Sequence, residues 1–563
     1  MDEHKKAELK WIVASNPDLA EICSKAVAQY LDGLPSGERV AFYGCGNLSR
    51  VLIENHAPSL KRLSAHFMIT NPDGTDDFHG FPKYSLRDVK HCPPDRVVIM
   101  SYVFQAEMSK NLEFMGPDRG MILTQVIDGA DHESLLNEVL AALTEHLKPH
   151  LERLDALCKR GSPVVCFATH MAAHHLLKTM REVHKRGYSI ILVVEHAKIT
   201  DTIFLKEFEG QGYFDYLYES KYSYSLELLE ILKRCPINLV HAEAGMWSSL
   251  PLAHLMKEKP CPIAVEYRDF KQTVFADDAI AMETLKLLPE DYNREREAQK
   301  NIYTLADGII YKDSPEVIGY LKREYDYVPK KQLQFMHYCS HDFFAEEDCI
   351  RKLSHYDSRF HIVYAGNLVN NPQWHNYPIF SSLFEAARTL ADQGIHFAIY
   401  NANDSTGRGF EEYIRLADEL ELFDYHFAVP YNKLKSVLPC YDFGWFCFDF
   451  SKATENPLFL RTTMGSKIFS YLEAGLPVLV SPEQAYIKRV VLDIGIGIEL
   501  RFDELEWLGR ILQERDWHEI FDNIQRARQV YTYEQQSSRL INFYRSLTDS
   551  SYQPLSSKRR IEV

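Results

Sequence analysis

The sequence predicts an α/β protein made of three successive modules, each built around a mostly parallel sheet. Short β-branched strands alternate with Gly- or polar-rich loops and amphipathic helices along most of the 563 residues. That is the pattern of parallel sheets covered by helices. The alternation restarts near residues 38, 163 and 361. With 46% hydrophobic and 25% charged residues, the chain has ample core and needs no disulfide staple.

Taken in order, Val40-Ala41-Phe42-Tyr43 reads as a buried strand. Gly44-Cys45-Gly46-Asn47-Leu48-Ser49 follows, then a helix carrying Val51, Leu52 and Ile53. A strand ends near Met68-Ile69, another is Val97-Val98-Ile99-Met100, and residues 132–158 read as a connecting helix. The second module opens on the strand Pro163–Ala168. Its first helix carries Leu176, Leu177, Met180 and Val183 at helical spacing, with Gly187 at its end. Further strands are Ile190–Val194, Asn238–His241, Ile263–Tyr267 and Ile309–Tyr311. The third module starts at His361–Gly366, continues through Phe397–Tyr400 and Tyr441–Phe446, and closes on a helix, a Gly-Leu-Pro turn at Gly475 and a strand through Val480. The resulting domains are 1–140, a connecting helix 141–160, 161–345, 346–545 and a flexible tail 546–563.

Composition excludes several classes. A net charge of −16 does not attract nucleic acid, and the short tail Lys558-Arg559-Arg560 reads as solvated. Eleven cysteines stand singly, without a C-x-x-C or a Cys/His cluster. No metal site or disulfide framework is expected, and reduced thiols fit a cytoplasmic protein. The start MDEHKKAELKW has no apolar signal core, and no apolar run approaches the ~18 residues of a membrane span. Any membrane contact is expected to be peripheral.

Gly465-Ser466-Lys467 opens a helix, bringing free backbone N–H groups and an ammonium to one point, which suits a diphosphate. Alone, the triplet reads more readily as an ordinary helix start with a surface lysine. In context, Gly465-Ser466-Lys467-Ile468-Phe469-Ser470-Tyr471-Leu472-Glu473-Ala474-Gly475-Leu476-Pro477-Val478 resembles the P-S-K-x-x-E-Y-x-A-x-G-x-P-V pattern of the glycosyltransferase family 4 group. Tyr364-Ala365-Gly366-Asn367-Leu368 is similar to the Y-A-G-N-L that opens that family's nucleotide lobe, and Val429-Pro430-Tyr431 with Tyr441-Asp442-Phe443-Gly444 follows in the same order. Leu239-Val240-His241, Val265-Glu266-Tyr267-Arg268-Asp269-Phe270 and Leu305-Ala306-Asp307-Gly308-Ile309-Ile310 are similar to first-lobe motifs.

The resemblance covers roughly residues 161–545. It implies a GT-B fold: two Rossmann-like lobes facing a cleft, here with an additional N-terminal Rossmann-like α/β domain. The implied reaction moves a sugar from a nucleoside-diphosphate sugar to an acceptor hydroxyl with retention, in bacterial-type surface glycan, polysaccharide or glycoconjugate synthesis. The acceptor is a glycan, a lipid-linked sugar or a protein. No cofactor is required and no catalytic metal is implied, and the chain contains no Asp-x-Asp. The nucleotide side would comprise Gly366, Asn367, Arg461, Gly465, Ser466, Lys467, Ser470, Tyr471 and Glu473. Lys467 and Arg268 would meet the departing diphosphate and Asp269 would orient the acceptor. Arg268 has an equal reading as an ion-pair partner of Asp269 or Glu266. His170 and His241, at strand ends, read as structural or as ligand contacts.

Four positions depart from the family pattern. Ser470 stands where an acid holds the ribose, with Glu473 one turn on as a substitute. Thr462 replaces the earlier acid, Thr169-His170-Met171-Ala172-Ala173 replaces a Gly-Gly loop, and Asn367 replaces an arginine. These departures leave open a non-catalytic scaffold in a glycan assembly. Near the N-terminus, Gly44-x-Gly46-x-x-Ser49 is a partial dinucleotide fingerprint. It lacks the third glycine and an acid at the end of the second strand, where Thr70-Asn71 and then Asp73 occur. A structural or docking module is the equal reading there.

Overall fold

The structure is a computed structural model. It describes residues 13 and 19–548, apart from 71–76, 102–104, 116–119, 123–124, 127–131, 197, 201–202, 222–223, 246–248, 276, 286–288, 346–350, 369–377, 405, 408, 452 and 454. Asn71, Asp73, the first residues and the basic tail lie outside this set. The chain divides into two units. One takes the residues up to Arg153 with Lys221–Ile231 and Leu285–Glu295. The other takes Leu154–Ser220, Leu232–Thr284 and Arg296 onward.

The first unit holds β1 (Val40–Tyr43), β2 (His66–Ile69), β3 (Asp77–Phe78), β4 (Phe81–Ser85), β5 (Arg96–Ile99) and β6 (Gly120–Ile122), in the order β3-β4-β2-β1-β5-β6. All pairings are parallel except the edge pair β3–β4. β1 is central and fully buried, as its unbroken apolar run requires. Gly44 follows with φ +118, a backbone state that suits glycine, and its carbonyl accepts the Ser49 hydroxyl at 2.6 Å. Helix α1 (Asn47–Arg62) then begins.

The second unit contains two further sheets. One joins β7 (Val164–Met171), β8 (Ser189–His196), β11 (Tyr216–Glu219), β12 (Leu239–Ala244), β13 (Ile263–Tyr267), β14 (Gly308–Tyr311) and β15 (Gln332–Gln334) in the order β11-β8-β7-β12-β13-β14-β15. A small hairpin, β9 (Lys198–Thr200) with β10 (Ile203–Phe204), stands apart from it. The other sheet joins β16 (His361–Gly366), β17 (His396–Asn401), β18 (Phe423–His426), β19 (Phe443–Phe446), β20 (Val478–Val480) and β21 (Gly497–Glu499) in the order β18-β17-β16-β19-β20-β21. Both sheets are parallel throughout. In each, the first strand is central, two strands wind to one side and the rest to the other. That is the doubly wound order, whose switch point opens a crevice at the carboxyl ends of the strands. The expected strands through these modules are present, and the outer strands β11, β15, β18 and β21 complete them.

Helix α2 covers His132–Cys158, as the periodicity predicts. Helix α3 (His174–Lys185) follows β7 and buries Leu176, Leu177, Met180 and Val183. The two lobes of the second unit share one core, in which Phe335, Tyr338, Phe469 and Tyr533 meet. Short helices α4 (Pro457–Thr462) and α5 (Lys467–Glu473) precede β20, and Gly475, at φ +72, makes the turn between α5 and the strand. The last helix, α6 (Tyr533–Thr548), returns to the first lobe. Arg539 bonds the Tyr338 hydroxyl at 3.0 Å, and Tyr544 meets His241 at 2.5 Å. Among the described residues, no helix is long and apolar enough to cross a membrane.

Candidate active-site cleft

The carboxyl ends of the two doubly wound sheets in the second unit share a cavity of about 310 Å³. The first lobe contributes Met171–His175 after β7, Lys178 on α3, Arg268 after β13, and His337 beyond β15. The second contributes Ala365–Asn367 at the end of β16, Tyr400, Ala402 and Asn403 at the end of β17, Val429, Tyr431 and Leu434, and Ser466, Lys467 and Ser470. The strand orders therefore bring together residues nearly 300 positions apart.

Lys467 is the charged centre of the second-lobe wall. Its ammonium lies 5.4 Å from the Tyr364 ring centroid and 5.9 Å from that of Phe446. It makes no hydrogen bond or ion pair among the described residues. Burial pushes its pKa down to about 8. Gly366 creates its space: a Cβ there would come within 1.7 Å of Lys467 Cε. Gly366→Ala is therefore expected to displace the ammonium and remove most of any diphosphate-induced thermal shift, without unfolding the chain. An unchanged shift would show that Lys467 does not need this position.

The other cations around the cleft are matched. Arg268 donates from Nε and Nη2 to Glu243 at 2.8 and 2.6 Å, and from Nη2 to the Met171 carbonyl at 2.5 Å. Its carboxylate partner is thus Glu243, at the end of β12, rather than Asp269 or Glu266. Glu243 also accepts from the Thr169 hydroxyl and lies 2.8 Å from His175 Nε2. Burial pushes Glu243 up, but Arg268 and then His175 outweigh it and hold the carboxyl below the usual carboxylate range. Lys178 pairs with Glu473 at 2.5 Å, both buried. Glu473 additionally accepts from the Ser340 amide at 2.8 Å and the Tyr431 hydroxyl at 2.9 Å.

Of the residues singled out from the sequence, Arg268, Gly366, Asn367, Ser466, Lys467 and Ser470 line the cavity. The Ser470 hydroxyl is 3.5 Å from that of Tyr431. Asp269 lies outside it and accepts from Lys312 at 3.0 Å. Arg461 is half exposed and paired with Glu316. Gly465 packs against Phe446, leaving no room for a Cβ. Tyr471 is a core residue, donating to the Trp445 carbonyl at 3.0 Å and accepting from the Ala365 amide at 3.1 Å. Glu473 is engaged between the lobes by Lys178. His170 bonds Glu195, and His241 is buried between Tyr544 and Glu266.

Sequence reading missed His174, His175, His337, Glu243, Lys178 and Tyr431. His174 stacks on Tyr431 at 3.8 Å, and burial pushes its pKa down to about 3. His175 stacks on His337 at 3.7 Å and 11°. Burial, with His175 beside it, pushes His337 down to about 3, and neither of its ring nitrogens has a hydrogen-bond partner among the described residues. A glutamate in a fully buried strand, Leu239-Val240-His241-Ala242-Glu243-Ala244, one residue from its end, is the available signal for Glu243.

The strand orders and the shared cleft decide the architecture. The second unit has a GT-B-like, two-lobed fold. No family model matches the chain, and no curated protein does. Solved structures are similar to it over the larger part of its length. MnaA of S. aureus with UDP is 10% identical, covering 70% of this chain and 99% of its own, at a TM-score of 0.44. The α,α-trehalose 6-phosphate synthase of Burkholderia multivorans is 10% identical, covering 70% and 100%, at 0.43. The glycosyltransferase SnogD of Streptomyces nogalater is 14% identical, covering 68% and 99%, at 0.34. At such identities and TM-scores the likeness carries no argument about chemistry, which rests on the cleft itself.

Proposed function

We propose that the GT-B-like cleft binds a nucleoside-diphosphate sugar and transfers its sugar to an acceptor hydroxyl. One observation carries this reading. Among the described residues, Lys467 is a cation without a counter-charge, held in a cavity at the carboxyl ends of two parallel sheets. Arg268 and Lys178 beside it each have a carboxylate. A partly desolvated ammonium without a partner is costly, and an anionic ligand relieves that cost. A departing diphosphate gains negative charge, so the same ammonium stabilises the transition state more than the bound donor. The cavity volume falls within the ~300–1,000 Å³ usual for small-molecule sites.

The acceptor classes remain those the sequence suggests: a glycan, a lipid-linked sugar or a protein. A second reading, binding without turnover, is favoured by Ser470 and by Glu473. Among the described residues, no second-lobe carboxylate lines the cavity, and Glu473 is held by Lys178. Thermal-shift measurements with UDP, GDP, CDP and ADP test the first reading. One diphosphate, at a hundred times its dissociation constant, should add ~2.7 kcal/mol of stability. If none shifts the transition, the donor reading fails.

A further inference from the structure

We infer that His175, held by Glu243, is the general base that takes the acceptor's proton, and that sugar transfer in this cleft inverts the anomeric centre. This rests on the reading of the cleft as a donor site and departs from the retention that the sequence resemblance implies.

Glu243 lies on β12. Two hydrogen bonds from Arg268 and one from Thr169 keep this buried carboxylate ionised and fixed. An ionised carboxylate only accepts, so the contact of 2.8 Å to His175 Nε2 places the ring hydrogen on Nε2. The lone pair then belongs to Nδ1, which makes no hydrogen bond among the described residues. His175 itself lines the cavity that holds Lys467. A histidine with one nitrogen on a carboxylate and the other unengaged has the arrangement of a general base: the carboxylate sets the tautomer and stabilises the imidazolium that forms.

The other two cavity histidines lack this arrangement. His174 stacks on Tyr431 with Lys178 one turn along the helix, and has no carboxylate contact among the described residues. His337 lies 3.5 Å from Glu266 without hydrogen-bond geometry. The charged groups facing His175 are Glu243, Glu266 at 3.8 Å, Arg268 and Lys178, with the neutral His337 ring stacked on it.

The step balances without a further reactant. The acceptor O–H proton passes to His175 Nδ1 as the oxygen forms its bond to the anomeric carbon. The bond from that carbon to the diphosphate oxygen breaks, and its electron pair leaves with the diphosphate, whose charge meets Lys467. The imidazolium then releases its proton to water. A single displacement by a base-activated oxygen reverses the configuration.

The test uses the full chain and α-linked donors of the base whose diphosphate shifts the melting transition, such as UDP-glucose, UDP-N-acetylglucosamine or GDP-mannose, with water as acceptor. Proton NMR reads the released sugar before mutarotation. The expected product is the β anomer. His175→Asn should lower kcat roughly 10²- to 10⁴-fold while keeping the diphosphate-induced shift. Release of the α anomer, or an unchanged kcat in the variant, overturns the proposal. If the variant loses the diphosphate shift, the anomer formed by the wild type still decides. Diphosphate binding with no donor turned over also overturns it and leaves the binding reading standing. No diphosphate shift at all removes that reading as well.

Discussion

Replacing Lys467 by methionine is expected to make the empty protein more stable and to remove most of its response to nucleoside diphosphates. Methionine keeps an unbranched apolar stem between the Tyr364 and Phe446 rings that flank the ammonium, and removes the partly desolvated charge. The sign with pH follows from linkage. The folded-state pKa is lowered to about 8, against ~10.4 for an unperturbed lysine. Below pH 8 both states hold the proton and the penalty on the folded state is full. Between the two values the unfolded chain binds more protons, so this group's penalty fades as pH rises. The stability advantage of Lys467→Met should therefore be present at neutral pH and shrink towards pH ~10. Losing a charge-assisted contact to phosphate should weaken diphosphate binding roughly 10- to 100-fold. Thermal melts at pH 7 and pH 10, with and without the diphosphate, check both parts. A variant less stable than wild type at neutral pH that still binds would show that the ammonium has another partner.

The second large effect concerns the buried pair between the lobes. Glu473→Gln leaves the Lys178 ammonium without its counter-charge, in a setting where both side chains are about 5% exposed or less. Breaking one partner of such a pair costs about 3–5 kcal/mol, measurable by urea denaturation. The glutamine can still accept from the Ser340 amide, which Glu473 does at 2.8 Å. Adding Lys178→Met should therefore recover most of the loss, because the pair's Coulombic gain largely offsets desolvation. Equal instability in the single and double variants would mean that the charge pair is not what Glu473 contributes.

The pair also shows where sequence reading stops. Lys178 sits on α3 among residues whose spacing announces a core helix, and nothing local marks its partner 295 positions away. Strands were legible because apolar runs between Gly-rich loops have few alternatives, as with Ile263–Tyr267 and His361–Gly366. The outer strands β15 and β21 are three residues long and carry too little pattern to stand out. On the site, Gly366 could be read because it ends a strand in one motif-like stretch, and Ser466 and Lys467 because they open a helix in another. Thr169–Ala173 stands in the sequence where the family pattern has a Gly-Gly loop, and the chemistry lies just beyond, at His174 and His175. His337 enters the cleft from a segment with no periodicity at all. A residue's reach into a cleft depends on sheet order, which local spacing does not encode.

Proton uptake on binding tests most directly whether an anion belongs at Lys467. Isothermal titration of the full chain with the preferred nucleoside diphosphate, in buffers of different ionisation enthalpy, counts the protons taken up on binding. A diphosphate that seats on Lys467 should raise its pKa from about 8. Binding should then take up close to one proton at pH 9, where the free diphosphate is already fully ionised. Binding with no proton uptake at pH 9, or no binding of any diphosphate, would contradict the account.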